Sequence, residues 1–247
     1  MQKIILISIV LLGLVVLFGP EAVPDDFQLP EILDSTRNSD VIIIFNSGGW
    51  GNTPPENAED FTPIIEGIQK TLNDWGYKSV VIPYTRTKND FLGKITAIRE
   101  FFNRFEHSSD NLADKIETLG ESFPDKKIII AGLSSGGTFV NKTYEKISGE
   151  MKDSVLAITA GTPFWTENQD SDNILQLDNN GKDTLAIGDA DSLFLSLFET
   201  PFKWIKAKIS GKNLSFWKAF HASGHDYYWP SPEVSPKIIT FLYAKIR

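Results

Sequence analysis

Short apolar runs rich in Ile and Val recur along this chain, and the stretches between them carry apolar residues at helical spacing. The pattern predicts strands at Val41 to Phe45, Ser79 to Pro83, Lys127 to Ala131, Val155 to Thr159, Thr184 to Ile187 and Leu214 to Phe220. Most of these runs are apolar throughout rather than alternating, as strands buried on both faces are. Ile64, Ile65, Ile68, Leu72 and Trp75 share one face of a helix that Gly76 would stop. A longer helical region is predicted over about Lys94 to Leu119, with Ile98, Phe101, Phe102 and Phe105 as core candidates and His107 on its polar side. Further helices fit Thr138 to Ile147, Leu193 to Ile209 and Pro236 to Ile246. Strand and helix alternate, so the fold class is α/β: an open, doubly wound, mostly parallel sheet. In such sheets ligands bind beyond the carboxyl ends of the strands, where the loops bearing Ser47 to Gly51, Ser134, Asp191 and His225 would lie.

The first residues follow a different pattern. Ile4 to Phe18 carries no charge and follows Lys3, whereas Glu21, Asp25, Asp26, Glu31 and Asp34 come after it. The run is short for a spanning helix and long for a signal-peptide core, but no A-x-A cleavage site follows and Pro20 stands before the nearest small residue, Ala22. Residues 1–22 therefore read as a signal-anchor or transmembrane helix, with a cleaved signal peptide as the alternative. The basic flank lies on the N-terminal side, which places the folded part outside the cytoplasm, or secreted if the segment is cleaved. Residues 23–38 read as a linker and 39–247 as one domain.

Composition narrows the function. A 247-residue chain that is 41% hydrophobic and 23% charged is long enough for one well-buried domain. The formal net charge of -8 argues against a nucleic-acid partner. With no cysteine and three histidines, and no H-E-x-x-H pattern, thiolate chemistry is excluded and a histidine-rich metal centre is not expected.

The chemistry is carried by Ile128 to Gly137, where an apolar strand ends abruptly in G-x-S-x-G. A serine that attacks a carbonyl must project its hydroxyl from a sharp strand-to-helix turn, and Gly132 and Gly136 remove the side chains that would collide there. Ser134 is the favoured nucleophile, because centring the pattern on Ser135 would put Leu133 in the crowded turn. The N–H of Ser135, at the start of the next helix, is then an oxyanion donor. No Gly-Lys-Ser/Thr ending and no G-x-G-x-x-G is present to make the turn a phosphate loop.

A serine needs a base, and the base needs an acid to hold its tautomer. Chain order supplies candidates. Gly188-Asp189-Ala190-Asp191 follows one predicted strand, and His221-Ala222-Ser223-Gly224-His225 follows the next. His225 lies on a loop that should overhang the serine, whereas His221 closes a strand; Asp189 and His221 remain alternatives to Asp191 and His225.

At these residues the chain resembles the α/β-hydrolase superfamily, over roughly Val41 to Arg247. The family's nucleophile elbow maps onto Gly132 to Gly136, its G-x-x-D acid loop onto Gly188 to Asp191, and its Gly-His before the last helix onto Gly224-His225. The resemblance implies a serine hydrolase of carboxylic esters or related acyl substrates, acting through an acyl-enzyme with no cofactor and no metal. Ser134 would be the nucleophile, Asp191 the acid and His225 the general base. Many members carry His-Gly in the oxyanion loop, but here the run is Asn46-Ser47-Gly48-Gly49-Trp50-Gly51, so the second donor is expected from Gly49 or Trp50. Phe194, Leu195, Leu197, Phe198, Phe202 and Trp204 around Pro201 suit either an apolar lid or a covering helix. With the membrane segment, a lid would fit a lipid-like acyl substrate. An acyltransferase with the same triad, and a membrane-tethered binding protein without activity, are the competing functions.

Overall fold

The computed structural model describes residues 27–166, 170–189, 205–207, 209–211 and 222–247. Among these residues five parallel strands form one sheet in the order β2-β1-β3-β4-β5: β1 Val41–Asn46, β2 Ser79–Tyr84, β3 Lys127–Leu133, β4 Val155–Ala160 and β5 Ile174–Leu177. The helices are α1 Leu29–Thr36, α2 Thr62–Asp74, α3 Phe91–Phe102, α4 Glu106–Ser122, α5 Ser135–Lys146, α6 Gly149–Lys152, α7 Thr184–Ile187 and α8 Ser235–Ile246.

Successive side chains of the central strands point to opposite faces, and each face has its own cover. On one side Ile43, Phe45, Ile129, Ala131, Leu156 and Ile158 pack with Ile64, Ile68 and Leu72 of α2 and Ile238 and Leu242 of α8. On the other Ile42, Ile44, Ile128, Ile130 and Ala157 meet Leu112, Ile116 and Leu119 of α4 and Phe139 and Val140 of α5. The sheet is therefore the doubly covered parallel one expected from strands apolar at every position. Truncating a fully buried member such as Ile130 to Ala costs about 2–5 kcal/mol.

Several expectations need correction. The long helix over Lys94 to Leu119 is two helices, because Arg104 and Phe105 take left-handed angles (φ 53° and 59°) and no α-helix continues through such residues. The bend turns Phe105 into the core and leaves Phe101 and Phe102 exposed. Thr184 to Ile187 is a helical turn rather than a strand: Asp183 caps it, accepting the N–H groups of Leu185 and Ala186 at 3.0 and 3.2 Å, and left-handed Gly188 ends it. The strand that pairs with β4 is β5, an element too short and too mixed with polar residues to stand out in the pattern. Part of the expected linker folds as α1, whose Ile32 joins the second core. The expected strand Leu214 to Phe220 lies outside the described residues, as do the membrane segment and nearly all of Leu193 to Ile209. Among the described residues no helix is long and apolar enough to cross a membrane.

Candidate active site

The strand β3 ends in a forced turn. Ser134 takes φ 55° and ψ -119°, a region that L-residues rarely occupy, and α5 starts at the next residue. The glycines beside it make the turn possible by their lack of bulk. A methyl on Gly132 would sit 2.3 Å from the Gly136 carbonyl oxygen, and one on Gly136 would sit 2.6 Å from the carbonyl oxygens of Asn46 and Ser47. The Ser134 N–H donates to the Ala160 carbonyl at the end of β4 (2.8 Å), which ties the turn to the neighbouring strand.

The next residue after Ala160 lies against the histidine ring. Gly161 has φ 59°, and a methyl there would come within 2.4 Å of the His225 ring at Cε1 and 3.0 Å of Asp183 Oδ2. Ser134 is bonded to Ala160, and the His225 ring packs against the next residue at the carboxyl end of β4. The histidine loop is stitched to the loop after β5: the Thr184 N–H donates to the Ser223 carbonyl (2.9 Å), and the Asn179 side chain donates to the Gly224 carbonyl (2.9 Å).

His225 meets a carboxylate that sequence reasoning missed. Its Nδ1 lies 2.8 Å from Asp183 Oδ2, and the Asp183 side chain is fully buried. The Tyr227 hydroxyl donates to the same oxygen at 2.6 Å, while Oδ1 takes the two amides of α7. Burial pushes the Asp183 carboxyl up, but the His225 contact, then the Tyr227 hydroxyl and the Ala186 amide, outweigh it and hold Asp183 below its ordinary value. Burial first, and Asp183 second, push the Tyr227 phenol well above its ordinary value, so it stays protonated and remains a donor.

Of the acids expected from sequence, Asp191 lies outside the described residues, as does the alternative base His221. Asp189 closes α7 through its N–H, which donates to the Thr184 carbonyl (3.0 Å). The carboxylate on the His225 ring is that of Asp183. Asp183 lies on the loop after β5 rather than after Thr184 to Ile187, earlier in the chain than either aspartate expected from sequence.

The loop after β1 lies against the serine as expected, with one change of register. A methyl on Gly48 would be 3.0 Å from the Leu133 carbonyl oxygen and 3.7 Å from Ser134 Cβ, whereas one on Gly49 would meet nothing within 4 Å. The Gly49 carbonyl accepts the Ser135 hydroxyl at 2.7 Å. Because a trans peptide sets C=O and N–H on opposite sides, the Trp50 N–H points away from Ser135. Of Gly48 and Gly49, Gly48 is therefore the one that lies against Ser134. Among the described residues no group of three His, Asp or Glu side chains is placed to hold a metal ion.

No protein-family model matches the chain, and no curated protein matches it in sequence. Among solved structures it is similar to a Trichoderma reesei cutinase in complex with a C11Y4 phosphonate inhibitor, at 16% identity and a TM-score of 0.49, covering 74% of this chain and 86% of the cutinase. It is also similar to a cutinase-like protein from Cryptococcus sp., at 16% identity and a TM-score of 0.34, covering 50% of this chain and 52% of the other. Likenesses this loose make no assignment, and the site's chemistry rests on this chain's own side chains.

Proposed function

We propose that the protein is a serine hydrolase of carboxylic esters, with Ser134 as nucleophile, His225 as general base and Asp183 as the acid that orients it. The observation that carries this reading is the His225–Asp183 pair, seated on Gly161 one residue beyond the Ala160 carbonyl that anchors Ser134.

In this reading Ser134 Oγ attacks the ester carbonyl carbon while His225 Nε2 takes its proton. Asp183 holds the Nδ1–H tautomer, so Nε2 keeps its lone pair, and it stabilises the imidazolium that forms. The carbonyl oxygen becomes an oxyanion facing the Ser135 N–H and a backbone N–H of the Gly48–Gly49 stretch. Collapse expels the alcohol, which takes the proton back from His225. Water then repeats the sequence on the acyl-serine, releasing the acid and restoring Ser134. A fixed, negatively charged Asp183 suits this role because it needs no proton of its own at any step.

The substrate class is part of the proposal. An apolar leader that keeps the domain at a bilayer would favour lipid-like acyl groups, in which case fatty acid is released from lipid esters; activity confined to short soluble esters would overturn that choice. The test of the hydrolase itself is labelling with a fluorophosphonate. Covalent tagging that disappears in Ser134→Ala is expected, and a well-folded wild-type chain that takes no label would leave the non-enzymatic binding protein as the better reading. If an added alcohol captured the acyl group faster than water, the enzyme would be an acyltransferase using the same residues.

A further inference from the structure

Arg86 follows β2, and nothing in the sequence pattern marks it, yet its side chain is 2% exposed. One guanidinium nitrogen donates to the Ser47 carbonyl at 2.8 Å and to the Ser135 hydroxyl at 3.3 Å. That hydroxyl in turn donates to the Gly49 carbonyl. The Arg86 N–H donates to the Gly51 carbonyl at 2.8 Å, and the adjacent Thr87 hydroxyl donates to the Trp50 carbonyl at 2.7 Å. A methyl on Gly51 would lie 2.4 Å from Arg86 Nε, so the loop closes directly over the guanidinium. Its Cζ lies over the rings of Phe105 and Phe139, 4.9 and 5.3 Å from their centroids. The carbonyls of Ser47, Gly49, Trp50 and Gly51 are all held from this one side.

We propose that Arg86, acting with the Ser135 hydroxyl, is the positioning residue of the oxyanion loop, an inference that rests on the serine hydrolase reading above. A loop with three glycines has no stiffness of its own, and transition-state stabilisation needs donors fixed before the charge develops. Pinning the carbonyls fixes the opposed N–H groups. The guanidinium bond to the Ser47 oxygen also polarises the Ser47–Gly48 peptide, which makes the Gly48 N–H on its far side a stronger donor. Burial pulls Arg86 down to about 10, with Glu100 and Tyr84 opposing the fall, so the cation persists at neutral pH. A buried cation is costly, and its place behind the loop gives that cost a function.

The experiment compares wild type, Arg86→Lys, Arg86→Gln and Ser135→Ala on p-nitrophenyl butyrate, with fluorophosphonate labelling and affinity for an aryl trifluoromethyl ketone, whose serine adduct is an oxyanion. Arg86→Gln is expected to lower kcat roughly 100-fold with KM little changed, the scale seen when an oxyanion donor is lost. Ketone affinity and labelling rate should fall with kcat, and Arg86→Lys should recover part of the loss. Ser135→Ala, which leaves the buried cation in place, should lose about tenfold in kcat and keeps the test open if Arg86→Gln does not fold. Full kcat and full ketone affinity in Ser135→Ala and in either folded Arg86 variant would overturn the inference while leaving the hydrolase intact. A wild-type chain that neither hydrolyses the ester nor takes the label would overturn both.

Discussion

His225 Nδ1 lies 2.8 Å from Asp183 Oδ2, and the other oxygen of the same carboxylate caps the short helix α7. The carboxylate is held from both sides. Its position is set by backbone amides and by the buried Tyr227 hydroxyl, so it has little freedom to follow the ring. The histidine is fitted to a carboxylate already in place.

Asp183→Asn is therefore expected to leave the fold intact and to lower kcat by about 10³ to 10⁴, because an amide no longer enforces the Nδ1–H tautomer. Ester hydrolysis by purified variants is the measurement. Asp189→Asn and Asp191→Asn should stay within a few-fold of wild type. A severe loss in Asp191→Asn with Asp183→Asn active would return the acid's role to Asp191.

How much of this was legible in the sequence depended on how local each cause was. Gly132 to Gly136 announces itself because the crowding it relieves involves residues adjacent in the chain, apart from the nearby carbonyls of Asn46 and Ser47. The central strands are equally plain, since burial on both faces demands apolar residues at every position. Asp183 was hidden because β5 was. Its polar neighbours suggested a loop, and the β-branched Thr184 and apolar Leu185 to Ile187 looked like the missing strand until the side chain of Asp183 capped them as a helix. Arg86 gave no local signal at all. Its partners at Ser47, Gly51 and Ser135 are far away in sequence and are brought together only when β1, β2 and β3 pair.

Gly161 should not tolerate a side chain. Gly161→Ala places a methyl 2.4 Å from His225 Cε1 in a left-handed backbone position, and the ring, on a surface loop, yields more readily than the strand end. The variant is expected to fold, to be destabilised by about 1–3 kcal/mol from the backbone angle, and to lose activity roughly 100-fold or more from misplacement of the base. Activity assays and urea unfolding check this together. An active Gly161→Ala would mean that His225 does its work from another position.

Tyr227→Phe tests the electrostatics of Asp183. The carboxyl is held below its ordinary 3.8 in the folded protein, so its ionisation contributes stability that is complete above that value and is lost as pH falls through the lower, folded one. Without the phenol donor the folded value moves back up and the contribution shrinks. Wild type should exceed Tyr227→Phe in thermal stability by the largest margin near neutral pH, with the gap narrowing below about pH 4 as both carboxyls protonate. Lost hydrogen bonding to a charged group is worth about 1.5–3 kcal/mol at the upper end of that range. A gap that does not change with pH would assign Tyr227 to packing and to its bond with the Leu177 carbonyl (3.1 Å) instead.

The strain at Ser134 makes the last prediction. With φ 55° and ψ -119° the residue sits where a Cβ is disfavoured by about 1–3 kcal/mol, and α5 and the Ala160 bond hold it there. Ser134→Ala keeps the Cβ and the strain, while Ser134→Gly removes both at the cost of about 0.5–1 kcal/mol in unfolded-chain entropy. The glycine variant is thus expected to be more stable than the alanine variant by about 1 kcal/mol, and the proposed mechanism expects both to be inactive. Urea midpoints at equal slope decide it. If Ser134→Ala proves the more stable, the turn carries no strain, and the projection of the hydroxyl must come from the flanking glycines alone.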